Sequence, residues 1–161
     1  MSVSRYDILD ILIKSGVKYK LIEHAPIFTV SDGEKLQLPD SSVIAKSLFL
    51  TDKKKYYLIL VPKDRKTDLK ALKSKIGSGR LSFAKDEDLF NLLKLSAGAV
   101  SPFGVFNDEK RVTKVFTDEY FRDAAMIAVP LNDNKTTVYL KTTDLFCLIE
   151  AHGNKIDWLG E

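Results

Sequence analysis

The sequence has little of the chemistry that metal and disulfide sites need. Its 161 residues include one cysteine, Cys147, and two histidines, His24 and His152. A single cysteine cannot form an internal disulfide, which fits a cytosolic compartment, and its apolar neighbours predict that it packs in the core. Neither histidine has a cysteine or histidine partner at metal-ligand spacing. We therefore expect no metal site.

Long hydrophobic runs are missing as well. No window approaches the 18 continuous apolar residues of a transmembrane helix, and the first residues lack the basic and apolar regions of a secretory signal. There is no nucleophile elbow, no Walker loop and no GxGxxG motif. We expect a cytoplasmic protein with no membrane partner.

Charge is distributed unevenly along the chain. The net charge is +3, but residues 53–80 contain ten Lys or Arg and two Asp, so this stretch carries +8 and the rest carries −5. Clustered basic residues displace counterions from a phosphate backbone, which favours a nucleic-acid partner; the alternative is a solvated lysine-rich surface. The candidate contacts are Lys53, Lys54, Lys55, Lys63, Arg65, Lys66 and Lys70.

Apolar spacing and turn residues predict helices and strands that alternate irregularly. Helices are predicted over 5–14 and 31–38, after caps at Thr67 and Thr143, and from Asp86. Strands are predicted over 19–23, 43–50, 56–61, 112–116, 125–129 and 136–141. Without a regular βαβ order, this pattern predicts an α+β fold with a mixed, mostly antiparallel sheet, in one domain spanning 1–161.

Lys46 is an unexpected residue in an apolar strand. Period-two geometry places it on the same face as Ile44, Leu48 and Leu50. A charge on an apolar face costs free energy unless it meets an anion or opens into a cleft, so Lys46 is a candidate functional residue. The alternative is an inward charge that protects an edge strand from aggregation.

A second unusual segment is the loop from Ser96 to Asp108. Gly98 and Gly104 permit close backbone approach, and Pro102 fixes a turn between them. Such a loop can point backbone N–H and C=O groups at a small ligand, but an ordinary loop with two glycines has the same composition.

These segments, in order, resemble one known family. The matching stretches are Ala25–Thr29, Ala45–Leu50, Arg80–Ala84, Gly98–Gly104 with Asn107 and Asp108, and Thr143–Leu145. They are similar to the prolyl-tRNA editing (YbaK/ProX) superfamily in its free-standing form. The Ser101-Pro102-Phe103-Gly104 stretch with Asn107-Asp108 is similar to the branch that hydrolyses Ala-tRNA(Pro), the ProX or PrdX type.

The resemblance implies an α+β domain around a barrel-like sheet surrounded by helices. It implies hydrolysis of the ester between a wrong amino acid and the terminal adenosine of tRNA(Pro), with no cofactor. It places Lys46 at the reaction centre and substrate contacts at Thr29, Gly98, Ala99, Val100, Ser101, Pro102, Phe103, Gly104, Val129 and Thr136. The implied partners are the acceptor end of tRNA(Pro) and prolyl-tRNA synthetase.

The chain departs from the family at one position. Members often carry His-Pro where this sequence has Val129-Pro130, followed by an Asn and then a Thr. The threonine is Thr136, whereas the asparagine is either Asn132 or Asn134. The missing histidine implies altered amino-acid selectivity or weaker activity. Two further interpretations stay open: a deacylase for Cys-, Ser- or Thr-charged tRNA, and a non-catalytic tRNA-binding module.

Overall fold

The computed structural model describes residues 2–28 and 30–160. In these residues the helices are α1 (Arg5–Lys14), α2 (Val30–Lys35), α3 (Leu69–Ile76), α4 (Asp86–Leu93) and α5 (Thr142–Ala151). The strands are β1 (Tyr19–Glu23), β2 (Ala45–Thr51), β3 (Tyr56–Pro62), β4 (Ser82–Phe83), β5 (Thr113–Thr117), β6 (Met126–Pro130), β7 (Thr136–Lys141) and β8 (Ile156–Trp158). This order confirms the α+β class.

The strands form two sheets. One is antiparallel with the order β1-β7-β6, and the other is mixed with the order β4-β2-β3-β5-β8. In the mixed sheet β4, β2 and β3 pair antiparallel, whereas β3, β5 and β8 run parallel. Within the described residues, one isolated parallel bridge, between Ile44 and Ala128, joins the two sheets. The implied barrel is therefore not closed, because the contact between β2 and β6 does not continue as a ladder.

The main core lies between the sheets and helices α1, α4 and α5. Both sheets contribute to it, through residues such as Phe49, Leu58 and Val115 on one side and Val129 and Leu140 on the other. A second cluster covers the opposite face of the mixed sheet, where Leu72 of α3 packs on the strands. Both faces of β2 and β3 are therefore buried, and β3 lies between two neighbouring strands.

The sequence placed most elements correctly and missed some details. The cap of α3 is Asp68 instead of Thr67, since its carboxylate accepts the N–H groups of Lys70 and Ala71. Helix α5 begins at Thr142 without a side-chain cap, so Thr143 is not its cap. Helix α2 ends at Lys35, before the predicted Leu38, a residue that precedes Pro39 and is therefore biased away from helix.

Cys147 also differs from expectation. It is exposed on α5, because the buried apolar positions of this helix are Leu145, Phe146 and Ile149. No helix in the described part of the chain is long and apolar enough to cross a membrane. The assignment of residues 1–161 to one domain stays a prediction.

Candidate functional site

Lys46 lies on β2 at the end where the two sheets meet. It is paired with Val61 of β3, on the face that carries Leu48 and Leu50, as period-two geometry predicts. Its side chain is half-buried, and Nζ donates a hydrogen bond to the carbonyl oxygen of Arg65 over 2.5 Å. Burial lowers the pKa of the Lys46 ammonium, and the nearby Asp64 carboxylate partly offsets this effect.

The backbone that accepts the Lys46 hydrogen bond is itself anchored. The Arg65 guanidinium forms an ion pair with the nearly buried carboxylate of Asp118. Asp118 is fixed in turn, because its N–H donates to Leu60 O and its other carboxylate oxygen accepts the N–H of Tyr120. The turn after β3 is therefore held above β2, and the Lys46 ammonium has a defined position.

The sheet junction brings Val129 close to this end of β2. Val129 follows Ala128, the residue bridged to Ile44, and it is completely buried in the main core together with Ala45. Ser47, next to Lys46 but on the opposite face, has a buried hydroxyl with no hydrogen-bond partner within residues 2–28 and 30–160. An unsatisfied buried hydroxyl costs about 1–3 kcal/mol. Ser47 is therefore a candidate, missed from the sequence, for contact with a polar substrate group.

Much of the glycine loop is part of the core. It forms two short 3₁₀ turns, Ala97–Ala99 and Pro102–Asn107, and Pro102, Phe103 and Gly104 are buried. The Ser101 hydroxyl accepts the N–H of Phe103 and donates to Pro130 O over 2.7 Å, which ties the loop to the end of β6. The Ser101 side chain is thus already occupied, and only part of the loop can face a ligand.

Gly98 packs directly on the segment that precedes α2. A Cβ atom at this position would lie 2.6 Å from the carbonyl oxygen of Ile27. The same Ile27 exchanges two hydrogen bonds with Asn134, from its N–H to Asn134 O at 3.0 Å and from Asn134 Nδ2 to its carbonyl at 3.1 Å. Gly98, Ile27 and Asn134 therefore form one junction. Thr29, predicted in this segment, lies outside the described residues.

Thr136, a predicted substrate contact, has no exposed surface in the folded chain. It is completely buried, and its hydroxyl donates to Asp133 Oδ1 over 2.6 Å. The same carboxylate oxygen accepts the N–H groups of Lys135 and Thr136 at 2.9 Å. Thr136 and Asp133 together fix the turn between β6 and β7, so Thr136 orders the turn residues.

A cleft of about 320 Å³ opens beside the glycine loop. Its lining residues come from α4, the loop and the β6–β7 turn: Phe90, Lys94, Leu95, Ser96, Ala99, Asn132, Asp133 and Asn134. Of the predicted substrate contacts that the structure describes, Ala99 belongs to this lining, and so do both candidates for the family asparagine, Asn132 and Asn134. Phe90, Lys94 and Asp133 were not predicted, since they are close only after folding.

A smaller cavity of about 80 Å³ lies on the other face of the mixed sheet. It is lined by basic residues such as Arg65, Lys66 and Lys75, together with Asp118 and the strand residues Leu48 and Val61. It is adjacent to Lys46 but does not include it. The structure thus forms two groups of candidate residues. Lys46 lies with Arg65 and Lys66, whereas Ala99 lies with the cleft residues 132–134.

The predicted basic block is divided by the β2–β3 hairpin. Lys53, Lys54 and Lys55 form its tip, whereas Lys63, Arg65 and Lys66 follow the far end of β3. A seven-residue strand separates the two groups by roughly 20 Å. The second group lies beside Lys46, because Lys63 N–H donates to Ile44 O. No cluster of three His, Cys, Asp or Glu side chains suited to a metal ion occurs in the part of the chain that is described.

Comparison with known proteins places the chain among editing proteins. The family model of the aminoacyl-tRNA editing domain matches residues 24–148. The prolyl-tRNA editing protein ProX of Acetoanaerobium sticklandii is 45% identical over 140 residues, which is 86% of this chain and 85% of that protein. Prolyl-tRNA synthetase associated domain-containing protein 1 of Mus musculus is 29% identical over 145 residues, with 86% and 85% covered.

Solved structures show the same fold. A crystal structure described as a candidate trans-editing enzyme for prolyl-tRNA synthetase matches with a TM-score of 0.72 at 21% identity, over 100% of this chain and 99% of that chain. The hypothetical protein APE2540 matches with a TM-score of 0.69 at 17% identity, over 93% and 96% of the two chains.

Proposed function

Because the chain belongs to the family of aminoacyl-tRNA editing domains, we propose that it is a trans-editing hydrolase that deacylates mischarged tRNA(Pro). The observation that carries this proposal is the 45% identity to a prolyl-tRNA editing protein over 86% of the chain. The mischarged amino acid that we propose is alanine, and the substrate is Ala-tRNA(Pro).

The proposed reaction is hydrolysis of an ester. A water molecule adds to the carbonyl carbon that links the amino acid to the terminal ribose, and the carbonyl oxygen becomes negatively charged in the tetrahedral intermediate. The bond to the ribose oxygen then breaks, the ribose oxygen takes a proton, and the amino acid leaves as a carboxylate. A preorganised donor near the developing oxyanion lowers the barrier of the first step.

We assign this donor role to Lys46. Its ammonium is partly desolvated, which strengthens its interaction with a developing negative charge, and its bond to Arg65 O fixes its position. The role needs the protonated form, so the lysine does not act as a base. The 2′-hydroxyl of the substrate or a bound water supplies the remaining proton transfer.

The glycine loop and its neighbours are proposed to hold the aminoacyl end. Gly98, Ala99 and Val100 offer backbone groups next to the Ile27 junction, while Ser101 to Gly104 support the loop from the core. Val129 and Thr136 are buried, so we assign them to the support of this wall, and Thr29 stays a proposed contact. A basic contact with the tRNA backbone is proposed for Lys63, Arg65, Lys66 and Lys70, and for Lys53, Lys54 and Lys55 at the hairpin tip.

Selection for alanine is proposed to depend on size. Alanine is smaller than the correct proline, so a small pocket admits the wrong residue and excludes the right one, as in double-sieve editing. The test is single-turnover deacylation of Ala-tRNA(Pro) and Pro-tRNA(Pro) by the purified protein. We expect the alanyl ester to be hydrolysed much faster, and equal rates would contradict the size argument.

The same assay tests the substrate class. Cys-, Ser- and Thr-charged tRNA are added as competitors to measure how strongly the enzyme distinguishes the amino acids. Cysteine and serine differ from alanine by one heavy atom, so we expect a discrimination of about 1–3 kcal/mol against them in an apolar pocket. Absence of hydrolysis on every charged tRNA, with tRNA binding retained, would contradict the proposed enzyme and indicate a binding module.

The proposed setting is the cytoplasm, where the chain would act beside prolyl-tRNA synthetase. The enzyme that makes the error is the natural source of the mischarged tRNA, so co-sedimentation of the two proteins with and without tRNA(Pro) tests a direct partnership. We expect the two proteins to co-sediment only when tRNA(Pro) is present, because the tRNA would connect them. A complex that forms equally well without tRNA would contradict this expectation.

A further inference from the structure

The larger cleft presents an aromatic ring that the fold does not use. Phe90 on α4 is 60% exposed, although its neighbours Leu89 and Leu93 are buried and hold the helix in place. Full burial of a phenylalanine side chain would contribute about 1.5–3 kcal/mol to stability. Phe90 instead lines the cleft beside Ala99 of the glycine loop.

A cation lies beside this ring. Lys94 ends α4 in the left-handed region, at a φ of 57°, with its N–H bonded to Phe90 O. Its Nζ atom lies 5.5 Å from the centroid of the Phe90 ring and 3.2 Å from Asn91 O. The ring and the ammonium therefore form one exposed unit at the mouth of the cleft.

The acidic residue in the cleft is already compensated. Asp133 Oδ1 accepts three hydrogen bonds within its own turn, and Oδ2 lies 3.8 Å from Nε of Arg5. With this carboxylate occupied, Lys94 is the cation that remains available to an anion among the lining residues that the structure describes. The asparagines Asn132 and Asn134 add neutral polar groups.

A second exposed aromatic lies near the cleft. Phe28 is 75% exposed and follows Ile27, which is hydrogen-bonded to Asn134 of the cleft lining. Its Cα would lie 3.8 Å from a Cβ placed on Gly98, so it also adjoins the glycine loop. Two exposed aromatic residues thus adjoin the glycine loop and its cleft, Phe90 through its place in the lining and Phe28 through its backbone.

We propose that this cleft binds the single-stranded 3′ end of the tRNA, with one base stacked on Phe90, a flanking phosphate at Lys94 and a further base against Phe28. The proposal rests on the proposed function, because that function brings such an end to Ala99. Proteins bind single-stranded nucleic acids through aromatic stacking and cations. The cleft volume falls in the range of small-ligand sites.

The first test uses a short single-stranded RNA that ends in CCA, with 2-aminopurine as its last base. We expect Phe90→Ala to weaken binding about 5- to 150-fold, the range for loss of one stacked base, and to abolish the change in 2-aminopurine fluorescence. Phe90→Trp should retain both signals. The matched control is Phe83→Ala, since Phe83 is 58% exposed on edge strand β4 and does not line the cleft.

Charge is tested on the same RNA. Lys94→Gln should reduce the slope of log affinity against log salt by about 0.7, the value for one phosphate contact to a single strand. Lys85→Gln at the start of the same helix is the control, and its slope should not change. Equal affinities of Phe90→Ala and Phe83→Ala, or equal binding of an RNA that lacks CCA, would overturn the proposal.

Deacylation separates this proposal from the proposed function. If Phe90→Ala hydrolyses Ala-tRNA(Pro) with unchanged kcat and KM, the cleft assignment is wrong while the editing function stands. If RNA binding depends on Phe90 but the wild-type protein hydrolyses no charged tRNA, the editing function is wrong while the cleft assignment stands.

Discussion

Replacement of Lys46 by methionine is expected to reduce single-turnover deacylation of Ala-tRNA(Pro) by about 10²- to 10³-fold, the effect of removing one preorganised donor. The structure supports an effect of this size because the Lys46 ammonium is half-buried and bonded to Arg65 O. A flexible surface lysine would lose most of its effect to solvent screening.

The same substitution is expected to leave the fold intact. The methionine side chain is unbranched, as lysine is, and it removes a charge whose pKa is lowered by burial. One hydrogen bond to Arg65 O is lost, but this carbonyl lies at the surface, where water replaces the donor. Circular dichroism and thermal unfolding check that the variant is folded before its rate is interpreted.

The matched control is Lys114→Met, because Lys114 is an exposed strand lysine on β5. It should keep the wild-type rate. If Lys46→Met is folded and also keeps the wild-type rate, the lysine serves only to protect an edge of the sheet, and our assignment of the reaction centre is wrong.

The pH profile adds an independent readout. The lowered pKa of Lys46 means that its proton is lost at a lower pH than that of an ordinary lysine. As pH rises, the rate difference between the wild type and Lys46→Met should therefore begin to shrink at a pH below the one at which ordinary lysines lose their proton. Because the unfolded chain holds this proton more tightly, the free energy of unfolding should rise with pH in the same window, and the rise should be absent in the variant.

Three further predictions concern support of the site. Gly98→Ala should lower both activity and melting temperature, because the new Cβ would lie 2.6 Å from Ile27 O, and unchanged values in both assays would refute the tight junction. Neutralising Lys63, Lys66 and Lys70 should weaken tRNA binding and its salt dependence more than neutralising the hairpin tip, 53–55, which filter binding at several salt concentrations measures. Asp52→Asn should lower the melting temperature at neutral pH, since backbone N–H groups, first that of Lys55, hold the pKa of Asp52 at about 2. That difference should vanish as pH falls through about 2, where the wild-type carboxylate is protonated.

Local patterns predicted the parts of the site that depend on one element. The phase of Lys46 follows from the alternation of a single strand, and the structure retains it in the register with Val61. The close approach at Gly98 likewise follows from the lack of a side chain. Neither prediction required knowledge of distant contacts.

Other features of the site depend on contacts between residues that are distant in sequence, and local patterns could not predict them. Phe90 and Asn132 to Asn134 are about forty residues apart, and no local pattern shows that they share a cleft. The basic block is continuous in sequence, but the β2–β3 hairpin reverses the chain and separates residues 53–55 from residues 63–66 in space. The prediction that Cys147 packs in the core was also wrong, because neighbours in sequence point to different sides of a helix and the apolar neighbours of Cys147 therefore do not bury it.

The burial of Val129 bears on how the proposed reaction can proceed without a histidine at that position. Val129 is completely enclosed by apolar residues of both sheets, so a polar side chain there would need a hydrogen-bond partner. His24, the histidine nearest the Ile27 junction in sequence, is already engaged at both ring nitrogens, with Ala25 O and the hydroxyl of Thr137. Because Val129 is apolar and both ring nitrogens of His24 already have hydrogen-bond partners, we expect the reaction to depend on Lys46, backbone groups and the substrate hydroxyl. It follows that Val129→His should not raise the deacylation rate unless a second substitution provides the imidazole with a partner. A large increase from the single substitution would show that this chain has lost a working base.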